Sequence, residues 1–383
     1  MKSRKRTMFV AAAAVLCLVL LAAIAGCAPK EPANGGDETT EIKIGMVGPL
    51  SGDAAAYGIN ILRAAEIAIE EANASGELGD ITLKIISEDT EGDWAKAANA
   101  FTKLIDVDGV SVIIGGVLSS ESEAGSDIVK DAAIPTISPS STSVDLTKGN
   151  PYLFRNCLSD EVQAVQLAEF AVEELGMGKF AILFTKNDYG ESLRDAFKNK
   201  AEELAEVVAV ESFMDKDNDF KAQITKIKEK NPDCLYIAGY YTEAAKIAQQ
   251  AQQAGMDIQL LGADGLCNVV FLEVGEDAVE GTYATSGFYP DDPMTAVQDF
   301  VKAYKDKHGE EPDMFAAQGY DAARIVIEAI KSKGTTSEQI REGIAATADF
   351  PGITGKTSLD EEGDTIKDVL ILKVENGKFV RVR

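Results

Sequence analysis

Histidine is almost absent from this chain. Of 383 residues only His308 is a histidine, and it stands in the polar stretch KDKHGEE (305–311), where its neighbours suggest a solvated side chain. A Ser–His–Asp triad and a His-rich metal site are thereby excluded. There is no G-x-x-x-x-G-K-S/T segment, and Gly45, Gly48 and Gly52 do not form G-x-G-x-x-G. Asp215-Lys-Asp217-Asn-Asp219 opens like a calcium loop, but Phe220 stands where glycine is needed and Lys226 where the bidentate Glu belongs. Asp219 is therefore read as the cap of the helix containing Ile224. Basic residues are also scarce, 37 against 63 acidic, for a net charge of −26. Such a surface repels nucleic acid and anionic lipid, which sets both aside as partners. The acidic residues are spread along the chain and read as solvated helix faces.

The long apolar run lies at the amino terminus. Met1-Lys-Ser-Arg-Lys-Arg6 is a positive segment, an uncharged stretch follows from Met8, and it closes Ile24-Ala25-Gly26-Cys27. Small residues before a cysteine fit lipoprotein processing better than an A-x-A site or a retained membrane anchor. Residues 1–27 are thus expected to be a signal peptide, with Cys27 lipidated at the mature amino terminus and holding the protein to a membrane. Loss of four basic residues with the signal leaves 33 against 63, or −30. APKEPANGGDETT, residues 28–40, has the composition of a disordered tether. Beyond Cys17 and Cys27, three cysteines remain, Cys157, Cys234 and Cys267, with no C-x-x-C spacing. They allow one disulfide, Cys234 with Cys267 being the favoured pairing, or three buried thiols.

Some 340 residues follow the tether, too many for one ordinary core, so two domains are expected. Short β-branched runs alternate with stretches of helical periodicity. The strand candidates are IKIGMV (42–47), ITLKIIS (81–87), SVIIGG (111–116), IPTIS (134–138), KFAILFT (179–185), VVAVESF (207–213), CLYIAG (234–239) and IQLLGA (258–263). Strands alternating with helices of ten or more residues imply an α/β fold with mainly parallel sheets. GTYATSGFYPDDP (281–293) reads as a crossover, with helices near 295–307 and 312–333. VLILKV and KFVRV flank Asn376-Gly377 as a hairpin. A distant echo links IGMVGPLSGDAAAYG with FAILFTKNDYG. Each is a strand, a polar loop and then Tyr-Gly at a helix start, as in the first βα turns of two similar lobes.

In open parallel sheets ligands bind beyond the carboxyl ends of the strands. Those loops are informative here. SVIIGG runs into Val117-Leu118-Ser119-Ser120-Glu121-Ser122-Glu123, a serine-rich helix start suited to a carboxylate. Ser120 with Glu123 fits a capping box there, leaving Ser119 just outside it. IPTIS runs into Pro139-Ser140-Ser141-Thr142-Ser143, a second hydroxyl-rich turn. CLYIAG is followed by Tyr240-Tyr241-Thr242, with Thr242 as the expected helix cap, and IQLLGA by Asp264-Gly265. A carboxylate at 264 suits an ammonium group. The loops together offer hydroxyl donors for an anion and an acid with aromatics for a cation.

With these residues in view, the chain resembles the periplasmic leucine/isoleucine/valine-binding proteins, the type I solute-binding proteins of branched-chain amino-acid ABC transporters. The likeness rests on IKIGMVGPLSGDAAAYG, GGVLSSESEAGSDI, IPTISPSST, NDYGESL, FKAQITKIKEKNPDCLYIAGYYTEA and LLGADG, in that order. The resemblance implies two similar lobes with mainly parallel sheets flanked by helices, joined by three crossover strands. Lobe 1 would comprise 41–159 and 288–366, and lobe 2 160–287 and 367–383. It further implies that Ser119 and Thr142 hold the ligand's α-carboxylate, that Ser140 offers a backbone carbonyl to the ammonium, and that Asp264 pairs with that ammonium. Tyr189 and Tyr240 match second-lobe contacts, while Tyr57 and Phe315 border the side-chain pocket. The family's first-lobe disulfide is missing, Leu118 occupying one of its positions.

The expected protein is a non-enzymatic, lipid-anchored, extracytoplasmic monomer without a cofactor. It would capture an aliphatic amino acid by hinge closure and deliver it to ABC permease subunits. The alternatives are an ectodomain for an amide, urea or aromatic acid, or a sensory receptor. A secreted enzyme would lack a histidine to activate Ser119.

Overall fold

The computed structural model describes residues 40–383. The expected signal peptide, Cys27 and the expected tether as far as residue 39 lie outside the described residues. Thr40, expected at the end of the tether, is the first residue of a strand, and its amide donates to the Asp80 carbonyl at 2.8 Å.

Two parallel α/β sheets organise the chain. The first contains β1 (Thr40–Gly48), β2 (Ile81–Asp89), β3 (Val112–Gly115), β4 (Thr136–Ser138) and β5 (Leu153–Arg155). Helices α1 (Ala55–Ser75), α2 (Trp94–Lys103) and α3 (Ser119–Ala132) connect them. The second sheet contains β6 (Lys179–Thr185), β7 (Glu206–Phe213), β8 (Cys234–Ala238), β9 (Gln259–Gly262) and β10 (Tyr283–Ser286). Helix α4 (Asp160–Glu173) enters it, and α5 (Asp188–Leu204), α6 (Lys221–Lys228), α7 (Tyr241–Gln253) and α8 (Val269–Gly275) link its strands. The strand orders are β2-β1-β3-β4-β5 and β7-β6-β8-β9-β10, the same winding used twice. Their neighbours are parallel throughout; inner strands such as β3 and β8 are buried on both faces, as parallel sheets require, while the edge strands β2 and β7 are partly exposed.

After β10 the chain returns to the first lobe as α9 (Thr295–His308), α10 (Met314–Lys333) and α11 (Ser337–Ala345), with α10 packed along α1. A small sheet of β11 (Phe350–Gly352), β12 (Gly355–Leu359) and β13 (Thr365–Ile366) follows. The chain ends as β14 (Leu370–Glu375) and β15 (Lys378–Arg381), an antiparallel hairpin on the edge of the second sheet. Its turn, Asn376 and Gly377, has φ of 54° and 69°, the two left-handed residues of a type I′ turn.

The distant echo has a structural cause. Tyr57-Gly58 opens α1 after β1, and Tyr189-Gly190 opens α5 after β6, the equivalent place in the second winding. A Cβ on Gly58 would meet the Pro49 carbonyl oxygen at 2.1 Å, and one on Gly190 the Thr185 oxygen at 2.2 Å. Both helices therefore need glycine where they pass over the loop that feeds them.

The three thiols are free and buried. The expected Cys234–Cys267 pairing does not occur, because Cys234 begins β8 while Cys267 follows the far end of β9. Those are opposite ends of two neighbouring parallel strands, beyond the reach of a disulfide. His308 is half-buried against the Tyr304 ring at 4.8 Å rather than fully solvated.

The chain passes between the sheets three times, at 156–159, 287–294 and 367–369. Two of these passages are bonded to each other. Arg155, 1 % exposed, donates to both Asp364 oxygens at 2.6 and 2.5 Å and to the Ser143 carbonyl at 2.8 Å. The Thr365 hydroxyl donates to the Arg155 carbonyl at 2.5 Å, and Lys367 Nζ to the Asn156 carbonyl at 2.8 Å. Replacing Asp364 by Ala leaves a buried guanidinium without its counter-charge. Because Asp364 is itself partly exposed, we expect a loss of roughly 2–3 kcal/mol rather than that of a fully buried pair. A shifted urea midpoint at unchanged m-value would register it.

Candidate functional site

The loops at the carboxyl ends of both parallel sheets meet in one cleft. Val117, Leu118, Ser119, Ser140, Tyr57 and Phe315 come from the first lobe, and Tyr189, Tyr240, Asp264 and Gly265 from the second. The space they leave is about 20 Å³. That admits about one water molecule. Seven of the eight residues expected from the sequence line this cavity. The eighth, Thr142, is buried directly behind Ser119, whose Oγ accepts from the Thr142 and Ser143 amides at 3.3 Å each.

Ser119 is the first residue of α3, so its neighbourhood has the unpaired amides of a helix start. The capping differs from expectation. Leu118 is the N-cap and its amide donates to Glu121 Oε2 at 3.0 Å, so Glu121, not Glu123, closes the box. Glu121 is fully buried, receives the Thr90 hydroxyl on its other oxygen, and is pushed up to about 7 by burial. Ser140 donates its hydroxyl to the Val117 carbonyl at 2.7 Å, which ties the two hydroxyl-rich turns together. On the other side, Tyr240 rather than Thr242 is the N-cap of α7. Asp219 accepts from the Lys221 amide at 3.2 Å just ahead of α6, whose N-cap is Phe220.

Asp264 follows β9 in a single helical turn, Asp264–Leu266. Its Oδ1 accepts from the Tyr189 hydroxyl at 3.0 Å, and the Gly265 amide donates to the same hydroxyl at 3.0 Å. The Asp264 amide donates to Gln163 Oε1 at 3.2 Å. Burial pushes the carboxyl up to about 6, against the hydrogen bonds that favour its charged form. Gln163 was missed in the sequence. The available signal was a polar residue on the buried stripe of α4 beside Ala164, Leu167 and Ala168.

Aromatic rings wall the cleft. Tyr189 and Tyr240 stack with centroids 5.1 Å apart and 7° between planes, while Tyr57 packs against Phe315 at 4.3 Å and Tyr241 at 4.6 Å. Tyr57 bridges the lobes: its hydroxyl donates to the Gly265 carbonyl at 2.6 Å and accepts from the Tyr241 amide at 3.3 Å. The arrangement offers hydroxyls and amides to an anion, one carboxyl to a cation, and rings to an apolar group.

Two parallel sheets of one winding, closing over a shared polar cleft, define the class of bilobal solute-binding folds. The chain belongs to the periplasmic binding protein family, whose model matches residues 41–378. The leucine-, isoleucine-, valine-, threonine- and alanine-binding protein of Pseudomonas aeruginosa is 31% identical over 327 residues, 84% of this chain and 87% of that protein. Among solved structures, a leucine-binding protein, LivK, of Thermotoga maritima has a TM-score of 0.85 at 34% identity, over 89% of this chain and 98% of that one. The branched-chain amino-acid transporter substrate-binding protein LivJ of Streptococcus pneumoniae, in complex with isoleucine, has a TM-score of 0.84 at 33% identity. It aligns over 90% of this chain and 100% of that one.

Tyr57→Phe removes the donor to Gly265 and the acceptor for the Tyr241 amide. Opening there becomes easier by about 1 kcal/mol, so the Tyr241 amide should exchange about fivefold faster by hydrogen–deuterium exchange.

Proposed function

We propose that the chain is the extracytoplasmic substrate-binding protein of an ABC transporter, taking a branched-chain or other aliphatic amino acid. The observation that carries this reading is the cleft's division into hydroxyls and helix-start amides in one lobe and a buried carboxyl in the other. In this assignment Ser119 and Thr142 hold the α-carboxylate, and the Ser140 carbonyl and Asp264 take the ammonium. Tyr189 and Tyr240 close the second-lobe side. Tyr57 and Phe315 border the side chain, whose uncharged rings suit an aliphatic group. We assign 41–159 with 288–366 to one lobe and 160–287 with 367–383 to the other.

The cavity is too small for any amino acid as the lobes stand, so entry requires them to part. Capture then follows from differential affinity. A ligand bonded to both lobes exists only in the closed form and shifts the population toward it. The closed form would be what the permease recognises. Cys27 would carry the lipid anchor, and the 28–39 segment would let the monomeric body reach its permease. No catalytic step belongs to this reading, since Ser119 has no base beside it.

Calorimetry of the mature protein against the common amino acids tests the assignment. Leucine, isoleucine or valine should bind, and Asp264→Ala should weaken them roughly thirtyfold or more, the cost of losing one partner of a desolvated pair. Undiminished binding in that variant, or binding of an amide or aromatic acid in preference, would overturn it. Feeding the producing cells a tagged fatty acid should label the wild-type protein and not Cys27→Ser. Wild-type protein that takes up no fatty acid would refute the lipid anchor.

A further inference from the structure

Asp160 is the first residue of α4, where the chain has just crossed into the second lobe, and it is completely buried. Its amide donates to the Thr142 carbonyl at 2.8 Å. Neither of its carboxyl oxygens has a hydrogen-bond partner of ordinary geometry among the described residues. The same holds for Thr142 Oγ1 and the Tyr236 hydroxyl. These groups are neighbours: the Thr142 and Ser192 hydroxyls lie beside Asp160, and its charge acts on Tyr236 and Tyr189. Those hydroxyls can donate to the carboxylate and favour its charged form, but neither is set in ordinary hydrogen-bond geometry, and a fully buried carboxylate without well-placed donors is costly where the neutral acid is not.

The charges around it point the same way. Asp264 is a like charge on the same lobe's side of the cleft. Arg155 is the nearby cation, but its guanidinium is spent on both Asp364 oxygens and the Ser143 carbonyl. One captured ammonium balances one carboxylate. A second, unbalanced charge in the same dry space would cost several kcal/mol.

We propose that Asp160 is a positioning residue of the cleft that takes up a proton as the lobes close, leaving Asp264 the single carboxylate opposite the captured ammonium. This rests on the amino-acid reading of the site. Asp160 acts through Thr142 and Asp264 rather than by touching the ligand. Burial pushes its carboxyl up to about 7 in the closed cleft, with Asp264 adding to the rise. In an open, hydrated cleft it returns toward the ordinary value of about 4. A group whose closed-state value is raised favours closure fully below its open-state value. That contribution is lost as pH climbs through the closed-state value.

The experiment is calorimetric titration of wild-type protein with leucine from pH 5 to 8.5, in buffers of differing ionisation heat. Affinity should fall by up to about tenfold per pH unit between roughly pH 5 and 7 and level off above about pH 8. The buffer series at pH 6 should show uptake of close to one proton. Asp160→Asn should flatten both readouts, with its thermal unfolding measured alongside, and the wild-type buffer series stands without the variant. A wild-type profile with no slope and no proton uptake overturns the proposal. So does an Asp160→Asn variant that keeps the wild-type uptake, or one that loses binding as severely as Asp264→Ala, which would make Asp160 a charged ligand contact. Wild-type protein that binds no amino acid at any pH sinks the amino-acid reading itself and this proposal with it.

Discussion

A carboxyl taken out of water must be neutralised, bonded or protonated, and the cleft is arranged around that requirement. Asp264 lies at the meeting of two lobes with neutral partners around it: the Tyr189 hydroxyl, Gln163 and its own turn. None of these cancels a charge. The walls that make the place dry, Tyr57, Tyr189, Tyr240 and Phe315, raise the cost of leaving it uncompensated. The bridge from Tyr57 to Gly265 is made only when those walls meet. In the proposed assignment, desolvation of Asp264 would oppose closure until a cation arrives, which would give the cleft its selectivity for charge.

The two windings divide the chemistry. The same strand order puts equivalent loops at the cleft from each side, but the first lobe spends them on Ser119, Ser140 and Thr142 and the second on Tyr189, Tyr240 and Asp264. Each half-site is incomplete, so in the proposed assignment a ligand whose ammonium and carboxylate share one carbon would be gripped only by both. Two of the passages between the halves are tied together around Arg155, Asp364 and Lys367. Arg155 closes β5 of the first sheet, so this bonded cluster is anchored in that lobe.

Most of the architecture was legible because parallel strands are written as short, unbroken β-branched runs. KFAILFT matches β6 residue for residue, and the Asn-Gly hairpin turn was plain. Three-residue β5 and the small β11–β13 sheet were not, since runs that short carry no periodicity and exist through their neighbours. Helix starts were misjudged by a residue or two at Ser120, Thr242 and Asp219, where backbone geometry and Glu121 took the capping role that side-chain identity suggested for others. The cleft residues were found through strand-end position and family likeness together. Gln163 escaped because its importance comes from a bond to Asp264, about a hundred residues away, and helical polar residues usually face solvent. The unpaired oxygens of Asp160 have no signature in sequence at all.

The three cysteines have a consequence for how such a protein is made. Cys157, Cys234 and Cys267 each sit in a separate buried environment, and burial raises every thiol far from its reactive form. Among the described residues no disulfide has to form and no thiol is exposed to scramble. The body's stability therefore does not depend on the redox poise of its surroundings.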